Sequence, residues 1–235
     1  MTKPKVLLLG TIDYAPDTWD ALSDIADTIK PQATNRKEFI DECKSGRFDD
    51  VVVAYRTFLS VDVTGVWDEK LINALPKTLR FCAHMGAGYD QIDVQACSAR
   101  DPPLRVSNVP TAVDDATADT AVFLILGALR GFNTSMLSLR EGKWRGNPAP
   151  PLGHDPEGKV LGILGMGGIG RNMKKKCDAF GMKAIYHNRK PLSDEQAGGA
   201  KYVSFDELLA QSDVLSLNLP LNVQWLPPQA AQNVN

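Results

Sequence analysis

The stretch Val160-Leu-Gly-Ile-Leu-Gly-Met-Gly-Gly-Ile-Gly170 decides the fold of this chain. An apolar run of strand length leads into Gly165, Gly167 and Gly170, which have the spacing Gly-x-Gly-x-x-Gly. In that spacing the first glycine permits a tight turn, the second lets backbone approach a diphosphate, and the third lets a helix pack closely on the sheet. The N-terminus of that helix offers N–H groups and partial positive charge to phosphates. The stretch therefore predicts a dinucleotide-binding strand, turn and helix.

A strand–helix alternation continues after this motif. The glycine-rich helix is predicted from Gly168 to about Phe180, and the elements expected after it are strands at Lys183–His187, Lys201–Ser204 and Val214–Leu219 and a helix at Phe205–Gln211. This is the first βαβαβ half of a doubly wound parallel sheet with one more strand. In the usual strand order Val214–Leu219 lies beside Val160–Leu164. Unless further strands cover its other side, it forms an apolar edge that favours aggregation.

The residues before the motif form a second α/β pattern. Strands are predicted at Lys5–Gly10, Val51–Tyr55, Leu79–Ala83 and Leu104–Ser107, and helices at Asp17–Lys30, Arg36–Cys43 and Asp68–Leu75. Strands that alternate with helices favour a parallel sheet covered on both faces. The first half is therefore predicted to be an α/β layer structure of its own.

The clearest helix in the sequence is Asp114–Arg130. Its interior is apolar nearly all round, which predicts that it is buried between domains or between subunits. Asp115 and Asp119 lie one turn apart and would suit a pair of catalytic carboxylates. The simpler interpretation is a cluster of acidic residues near the helix start, which relieves the helix dipole.

The chain is thus predicted to have three segments. Residues 1–112 form the first α/β domain and residues 113–222 contain the dinucleotide-binding half. A linker rich in proline, Asn147–Gly153, lies between the long helix and the glycine motif. Residues 223–235 are polar, aperiodic and interrupted by proline, and are predicted to be a disordered tail.

Composition excludes several classes of function. The formal net charge of −2 gives no electrostatic reason to bind nucleic acid or an anionic membrane, and Lys174–Lys176 reads as the solvated side of a helix. No apolar run reaches membrane length, and the N-terminal residues do not form a signal peptide. The four cysteines are scattered without disulfide or metal-ligand spacing. We therefore expect a cytoplasmic protein with no metal site.

The end of the second strand of the dinucleotide-binding half distinguishes the two nicotinamide cofactors. A carboxylate there would hold the ribose of NAD, whereas an arginine would accept the 2′-phosphate of NADP. The sequence reads Tyr186-His-Asn-Arg-Lys190 and has no carboxylate until Asp194. Asn188, Arg189 and Lys190 therefore favour NADP, with Arg189 as the main phosphate partner. NAD remains possible if both cations are only surface charges.

Several motifs in their order and spacing resemble the D-isomer-specific 2-hydroxyacid dehydrogenases, in particular the glyoxylate and hydroxypyruvate reductase branch. The stretches that carry the resemblance are Met85–Asp93, Ser107–Pro110, Asp114–Arg130, Glu141–Trp144, Gly165–Gly170 and Leu217–Leu221. The resemblance implies a flavodoxin-like substrate domain, a Rossmann domain, and NAD(P)H-dependent reduction of a small 2-keto acid to the 2-hydroxy acid. It also implies a possible homodimer.

The resemblance assigns roles to individual residues by position. Gly86, Ala87 and Gly88 match the loop whose backbone N–H groups hold the substrate carboxylate, a task that suits bare backbone. The nucleotide contacts it implies are Gly165, Gly167, Gly168, Ile169, Gly170, Asn188, Arg189, Lys190, Leu219 and Pro220. His84 lies near the substrate loop but does not match the family's catalytic histidine, so a supporting role is expected.

The catalytic part of the family pattern is missing from this sequence. Keto-acid reduction needs a hydride, a cation that polarises the substrate, and a proton donor. The family supplies these from an Arg in an Asn-x-x-Arg-Gly segment, an acid and a His, yet no Arg follows Arg189, no His follows His187 and no acid follows Asp213. No residue inherits a catalytic role. The sequence predicts a C-terminally truncated member, or alternatively an inactive nucleotide-binding or interaction protein that pairs through Asp114–Arg130.

Overall fold

A computed structural model describes residues 3–146 and 149–221. They form two compact units, one that reaches Pro110 and one that spans Thr111–Leu219. The division thus falls between Pro110 and Thr111, close to the predicted boundary after residue 112. The predicted tail at 223–235 and part of the predicted linker lie outside the described residues.

The first unit is built on a parallel five-stranded sheet. Its strands are β1 (Lys5–Leu9), β2 (Asp27–Ile29), β3 (Val51–Thr57), β4 (Phe81–Met85) and β5 (Arg105–Ser107). They lie in the order β2-β1-β3-β4-β5, which is the flavodoxin-like order. The helices of this unit are α1 (Pro16–Asp20), α2 (Arg36–Lys44), α3 (Val61–Thr64), α4 (Glu69–Ala74) and α5 (Val94–Ala99).

Side chains of the strands and helices share one core in this unit. Its largest fully buried members are aromatic: Trp67, Phe39 and Phe48. Helices α2 and α4 begin where an Asn or Asp side chain accepts a backbone N–H: Asn35 from Glu38, and Asp68 from Leu71. These caps fix where the two helices begin.

The predicted helix Asp17–Lys30 is wrong. Helix α1 ends at Asp20, a 3-10 turn covers Ala21–Asp24, and Asp27–Ile29 pairs in parallel with β1. The apolar spacing that suggested a helix does not mark a buried face, because Ile25 is 67% exposed and neither short helix buries a residue. The sheet edge takes up the backbone of this segment, and tertiary pairing overrides the local period. Helix α5 was not predicted from the sequence.

The second unit is built on a parallel four-stranded sheet. In chain order its elements are α6 (Asp114–Arg130), α7 (Phe132–Arg140), β6 (Val160–Leu164), α8 (Gly168–Asp178), β7 (Lys183–His187), α9 (Asp194–Ala197), β8 (Lys201–Tyr202), α10 (Phe205–Gln211) and β9 (Val214–Leu217). The strand order is β8-β7-β6-β9, the order of the first half of a Rossmann sheet with one further strand. The predicted α/β fold with parallel sheets is confirmed. Helices α7 and α9 were not predicted.

Helix α6 is covered on one face within the second unit. Ala118 and Ile125 are buried there, whereas Phe123 and Leu124 are about 60% exposed. The face of α6 that carries Phe123 and Leu124 is thus exposed in this chain, and its burial between subunits stays a prediction. Among the described residues no single helix is long and apolar enough to cross a membrane, and α6 and α7 pass that test only as a pair bent by 79°.

Strand β9 presents apolar side chains at the edge of the sheet. Within the described ranges it pairs only with β6. Leu217 is 68% exposed and, together with α6, lines an open groove of about 780 Å³.

We expect Leu217→Lys to reduce self-association and to change the free energy of unfolding by less than about 0.5 kcal/mol, because the side chain is mostly solvated. Light scattering at rising concentration measures the association, and equal scattering by both proteins would contradict the prediction.

Candidate functional site

The glycine-rich turn lies where the strand order of the second sheet reverses. β6 pairs with β7 on one side and with β9 on the other. The N–H of Gly165 donates to the carbonyl of His187 at 3.0 Å, and the N–H of Asn218 donates to the carbonyl of Leu164 at 2.8 Å. Open α/β sheets bind ligands at the carboxyl ends of strands at such a switch point. The turn thus occupies the position in the fold where a nucleotide site is expected.

The three glycines of the motif meet three different surroundings. Gly165 has φ +92°, and a Cβ built there would lie 2.8 Å from the carbonyl oxygen of Asn218. A Cβ on Gly170 would lie 2.8 Å from the carbonyl oxygen of Gly165, so this glycine permits close packing of α8 on the turn. A Cβ on Gly167 would meet nothing within 4 Å. The first and third glycines are needed by the fold, whereas the second leaves open space in front of the turn.

Helix α8 begins at this open space without a side-chain cap. Gly167 is its N-cap residue, and no side chain accepts a hydrogen bond from the first turn. The N–H groups at the start of a helix have no intrahelical partners, so those of Gly168, Ile169 and Gly170 are available to an anion. Gly168 also meets a group that the sequence did not identify, because a Cβ there would lie 1.8 Å from Oδ2 of Asp114. Gly168 therefore makes room for a carboxylate of α6.

The residues after β7 divide into one that supports the turn and two that face solvent. Oδ1 of Asn188 accepts a hydrogen bond from the N–H of Met166 at 2.7 Å, so the side chain holds the glycine-rich turn. Arg189 and Lys190 are exposed, and neither has an ion pair within the part of the chain that the structure describes. Two cations are thus available beside the turn. Their contact with a nucleotide remains a prediction.

Leu219 and Pro220 follow β9 in the chain. The side chain of Leu219 would lie 2.9 Å from a Cβ on Gly165, which places Leu219 against the turn. Pro220 is exposed. Their predicted nucleotide contacts also remain predictions.

The loop Gly86–Gly88 follows β4 in the first unit, and each of its three carbonyl groups has a hydrogen-bond partner. The carbonyl of Gly86 accepts the N–H of Val109 at 2.9 Å, and that of Ala87 accepts Nδ2 of Asn108 at 2.9 Å. The carbonyl of Gly88 lies 2.8 Å from Nε2 of His84. In a planar trans peptide the N–H points opposite to the C=O, so the N–H groups of the next residues point away from these partners. In the structure described here, Ala87, Gly88 and Tyr89 do not use their N–H groups in any hydrogen bond.

His84 is committed to supporting this loop. Its side chain is buried, and its Nδ1 lies 3.3 Å from a terminal nitrogen of Arg56. Burial lowers the pKa of His84, and Arg56 acts in the same direction, although the hydrogen bond to Gly88 and the charge of Asp90 oppose them. A neutral imidazole that accepts at Nδ1 donates from Nε2 to Gly88. The predicted supporting role of His84 agrees with these contacts.

The other candidate reactive groups have structural partners. Asp115 and Asp119 both form ion pairs with Lys176 and join α6 to α8, a contact that the sequence did not predict. All four cysteines are free and buried, and burial raises the pKa of Cys82 to about 12. Such thiols do not ionise near neutral pH. Across residues 3–146 and 149–221, no three His, Cys, Asp or Glu side chains gather as a metal site.

Each unit contains a parallel sheet with helices, and one unit has a glycine-rich turn at its switch point. These features define the class of the nucleotide-binding α/β proteins. Residues 122–225 match the D-isomer specific 2-hydroxyacid dehydrogenase, NAD binding domain, family. The chain is 52% identical over 93% of its length to 4-methyl-2-oxopentanoate reductase A of Aspergillus oryzae, and covers 65% of it. It is 46% identical over 94% of its length to glyoxylate reductase 1 of Saccharomyces cerevisiae, and covers 64% of it.

The solved structures give the same answer. A glyoxylate reductase from Paecilomyes thermophila superposes with a TM-score of 0.89 at 50% identity, over 95% of this chain and 67% of that one. The chain therefore belongs to the D-isomer-specific 2-hydroxyacid dehydrogenase family. It spans about 65% of the length of the curated relatives described above.

Proposed function

We propose that this chain provides the cofactor-binding and carboxylate-binding elements for NAD(P)H-dependent reduction of a small 2-keto acid. The observation that carries the proposal is the open space at Gly167. On one side of this space is the tight turn that contains Gly165 and Gly170, and on the other is the uncapped N-terminus of α8. Backbone N–H groups and the helix dipole at this place suit a diphosphate. When bound there, NAD(P)H supplies the hydride.

The substrate proposed is glyoxylate or hydroxypyruvate. Support comes from the Gly86–Gly88 loop, whose carbonyl groups are held by His84, Asn108 and Val109. Among the described residues, the N–H groups of Ala87, Gly88 and Tyr89 have no hydrogen-bond partner. Such N–H groups suit the carboxylate of a 2-keto acid. The glyoxylate reductases among the relatives support a small substrate, whereas the Aspergillus oryzae relative is named for a branched 2-keto acid. Both substrates belong in the test.

The cofactor proposed is NADP in preference to NAD. Arg189 and Lys190 are exposed at the end of β7, where the ribose of the adenosine half is expected. The sequence has no carboxylate between them and Asp194. A homodimer through the exposed face of α6 and a cytoplasmic location, which the free cysteines favour, complete the proposal.

A second candidate function is nucleotide binding without turnover. The residues present favour it, because His84 is engaged with Gly88 and His187 with the carbonyl of Val203 at 2.9 Å. Both imidazoles are thus held in structural contacts, whereas a free proton donor raises the rate of keto-acid reduction.

One pair of measurements distinguishes the two functions. We expect NADPH at a hundredfold excess over its Kd to stabilise residues 1–235 by about 2.7 kcal/mol. The reductase also oxidises NADPH when glyoxylate or 4-methyl-2-oxopentanoate is added, whereas the binding protein does not. Stabilisation with clear turnover would establish the reductase, and stabilisation without turnover would establish the binding protein. If NADPH neither stabilises the protein nor is oxidised, both candidate functions are overturned.

A further inference from the structure

A buried cation, Arg56, lies next to His84, which supports the loop Gly86–Gly88 (the carboxylate loop). Arg56 is fully buried, and its guanidinium carbon lies 5.6 Å from the centre of the Trp67 ring. One terminal nitrogen donates to Oε1 of Gln91 at 2.8 Å, while Nε has no hydrogen-bond partner. Among the residues that the structure describes, no carboxylate oxygen forms an ion pair with Arg56. The charge of Asp90, an exposed residue just after the loop, acts on Arg56 without forming an ion pair and opposes the lowering of its pKa by burial. A buried charge without a direct ion pair is costly, so its retention requires a reason.

The second terminal nitrogen connects Arg56 to the loop through His84. The two residues are direct partners in the β3–β4 pairing, and the nitrogen lies 3.3 Å from Nδ1 of His84. Because a guanidinium only donates, Nδ1 must accept, and the imidazole proton is on Nε2. That proton is directed to the carbonyl of Gly88 at 2.8 Å. A hydrogen bond from a charged donor polarises the ring and strengthens its own donation.

We propose that Arg56 and His84 are positioning residues of the carboxylate loop. Through the imidazole, the buried charge fixes the Gly88–Tyr89 peptide and makes its outward N–H a better donor to an anion. The positive charge of Arg56 also favours an anion bound nearby, where it offsets the negative charge of Asp90. The inference rests on the proposed function, since it concerns the substrate carboxylate. Neither Arg56 nor His84 is proposed to touch the substrate.

The experiment follows the backbone N–H resonances of Ala87, Gly88 and Tyr89 while oxalate is titrated into ¹⁵N-labelled protein of residues 1–235. We expect Arg56→Met and His84→Phe to weaken oxalate binding at least about tenfold, the equivalent of one buried hydrogen bond. His84→Gln retains an N–H donor and is expected to recover part of this loss. In the unchanged protein, the imidazole ¹⁵N shifts should report a neutral ring with its proton on Nε2.

Arg100 provides a matched control. It is also buried, but it donates to the carbonyls of Leu75, Pro76 and Leu79 and not to the loop or its supports. Arg100→Met should lower the free energy of unfolding without changing oxalate affinity. Thermal melts of each variant establish that it is folded.

The outcomes separate this inference from the proposed function. Unchanged oxalate affinity in folded Arg56→Met or in folded His84→Phe, or an equal loss in Arg100→Met, would overturn the inference and leave the proposed function standing. A proton on Nδ1 of His84 would also overturn it. If oxalate shifts no loop resonance in the unchanged protein, the proposed substrate loop is overturned and this inference with it.

Discussion

Gly165→Ala is expected to destabilise the second unit by roughly 2–4 kcal/mol, because backbone strain at a positive φ and a steric clash of the new Cβ both raise the free energy of the folded state. Gly165 has φ +92°, a conformation that L side chains rarely adopt, and the new Cβ would lie 2.8 Å from the carbonyl oxygen of Asn218. That oxygen belongs to backbone that is itself hydrogen-bonded to Leu164, so it cannot move away cheaply. The midpoint of chemical denaturation measures the loss.

Gly167→Ala is the matched control for this change. It adds the same methyl group two residues away, where φ is −84° and nothing lies within 4 Å. We expect the free energy of unfolding to change by less than about 1 kcal/mol. Its effect should appear in NADPH affinity, because the methyl group fills the space left for the diphosphate. Equal destabilisation by both variants would contradict the different roles assigned to the two glycines.

Arg189→Ser is expected to weaken NADPH binding by about 10-fold to 100-fold and to leave NADH binding nearly unchanged. A charge-assisted hydrogen bond to the 2′-phosphate contributes roughly 1.5–3 kcal/mol, which corresponds to this range. NADH lacks that phosphate, so it loses no such contact. Titration of each variant with both cofactors gives the ratio of their dissociation constants.

Lys175→Ser is the control for the charge change. It removes one exposed cation from α8, away from the end of β7, and alters the net charge by the same amount. We expect the cofactor preference to survive this substitution. If Arg189→Ser keeps the NADPH preference, or Lys175→Ser loses it equally, then the preference comes from overall charge or from other residues.

The sequence predicted most of the second unit because local and tertiary signals agree there. Strand β6, helix α6 and strand β7 have the predicted bounds, since each is a strongly periodic or continuously apolar run. The roles of Gly165 and Gly170 in packing followed from their spacing alone. At these two positions the backbone conformation and the close packing require glycine, so the residue type itself indicates the local structure.

The sequence failed where a partner distant in the chain decides the outcome. Asp27–Ile29 is a strand because β1 offers it an edge, which no local period reveals. The support of the carboxylate loop by Arg56 was likewise missed, although a charged residue in the strand Val51–Thr57 was a signal. The contact of Asp114 with Gly168 depends on the packing of α6 against α8. Such juxtapositions appear only once the elements are placed.

A calorimetric titration of NADPH into residues 1–235 shows whether the turn at Gly165–Gly170 binds a dinucleotide. We expect one site per chain, with an affinity that falls at least about tenfold in Gly167→Ala while the fold is kept. A cooperatively melting protein that gives no binding heat and no NADPH-dependent stabilisation would contradict this prediction.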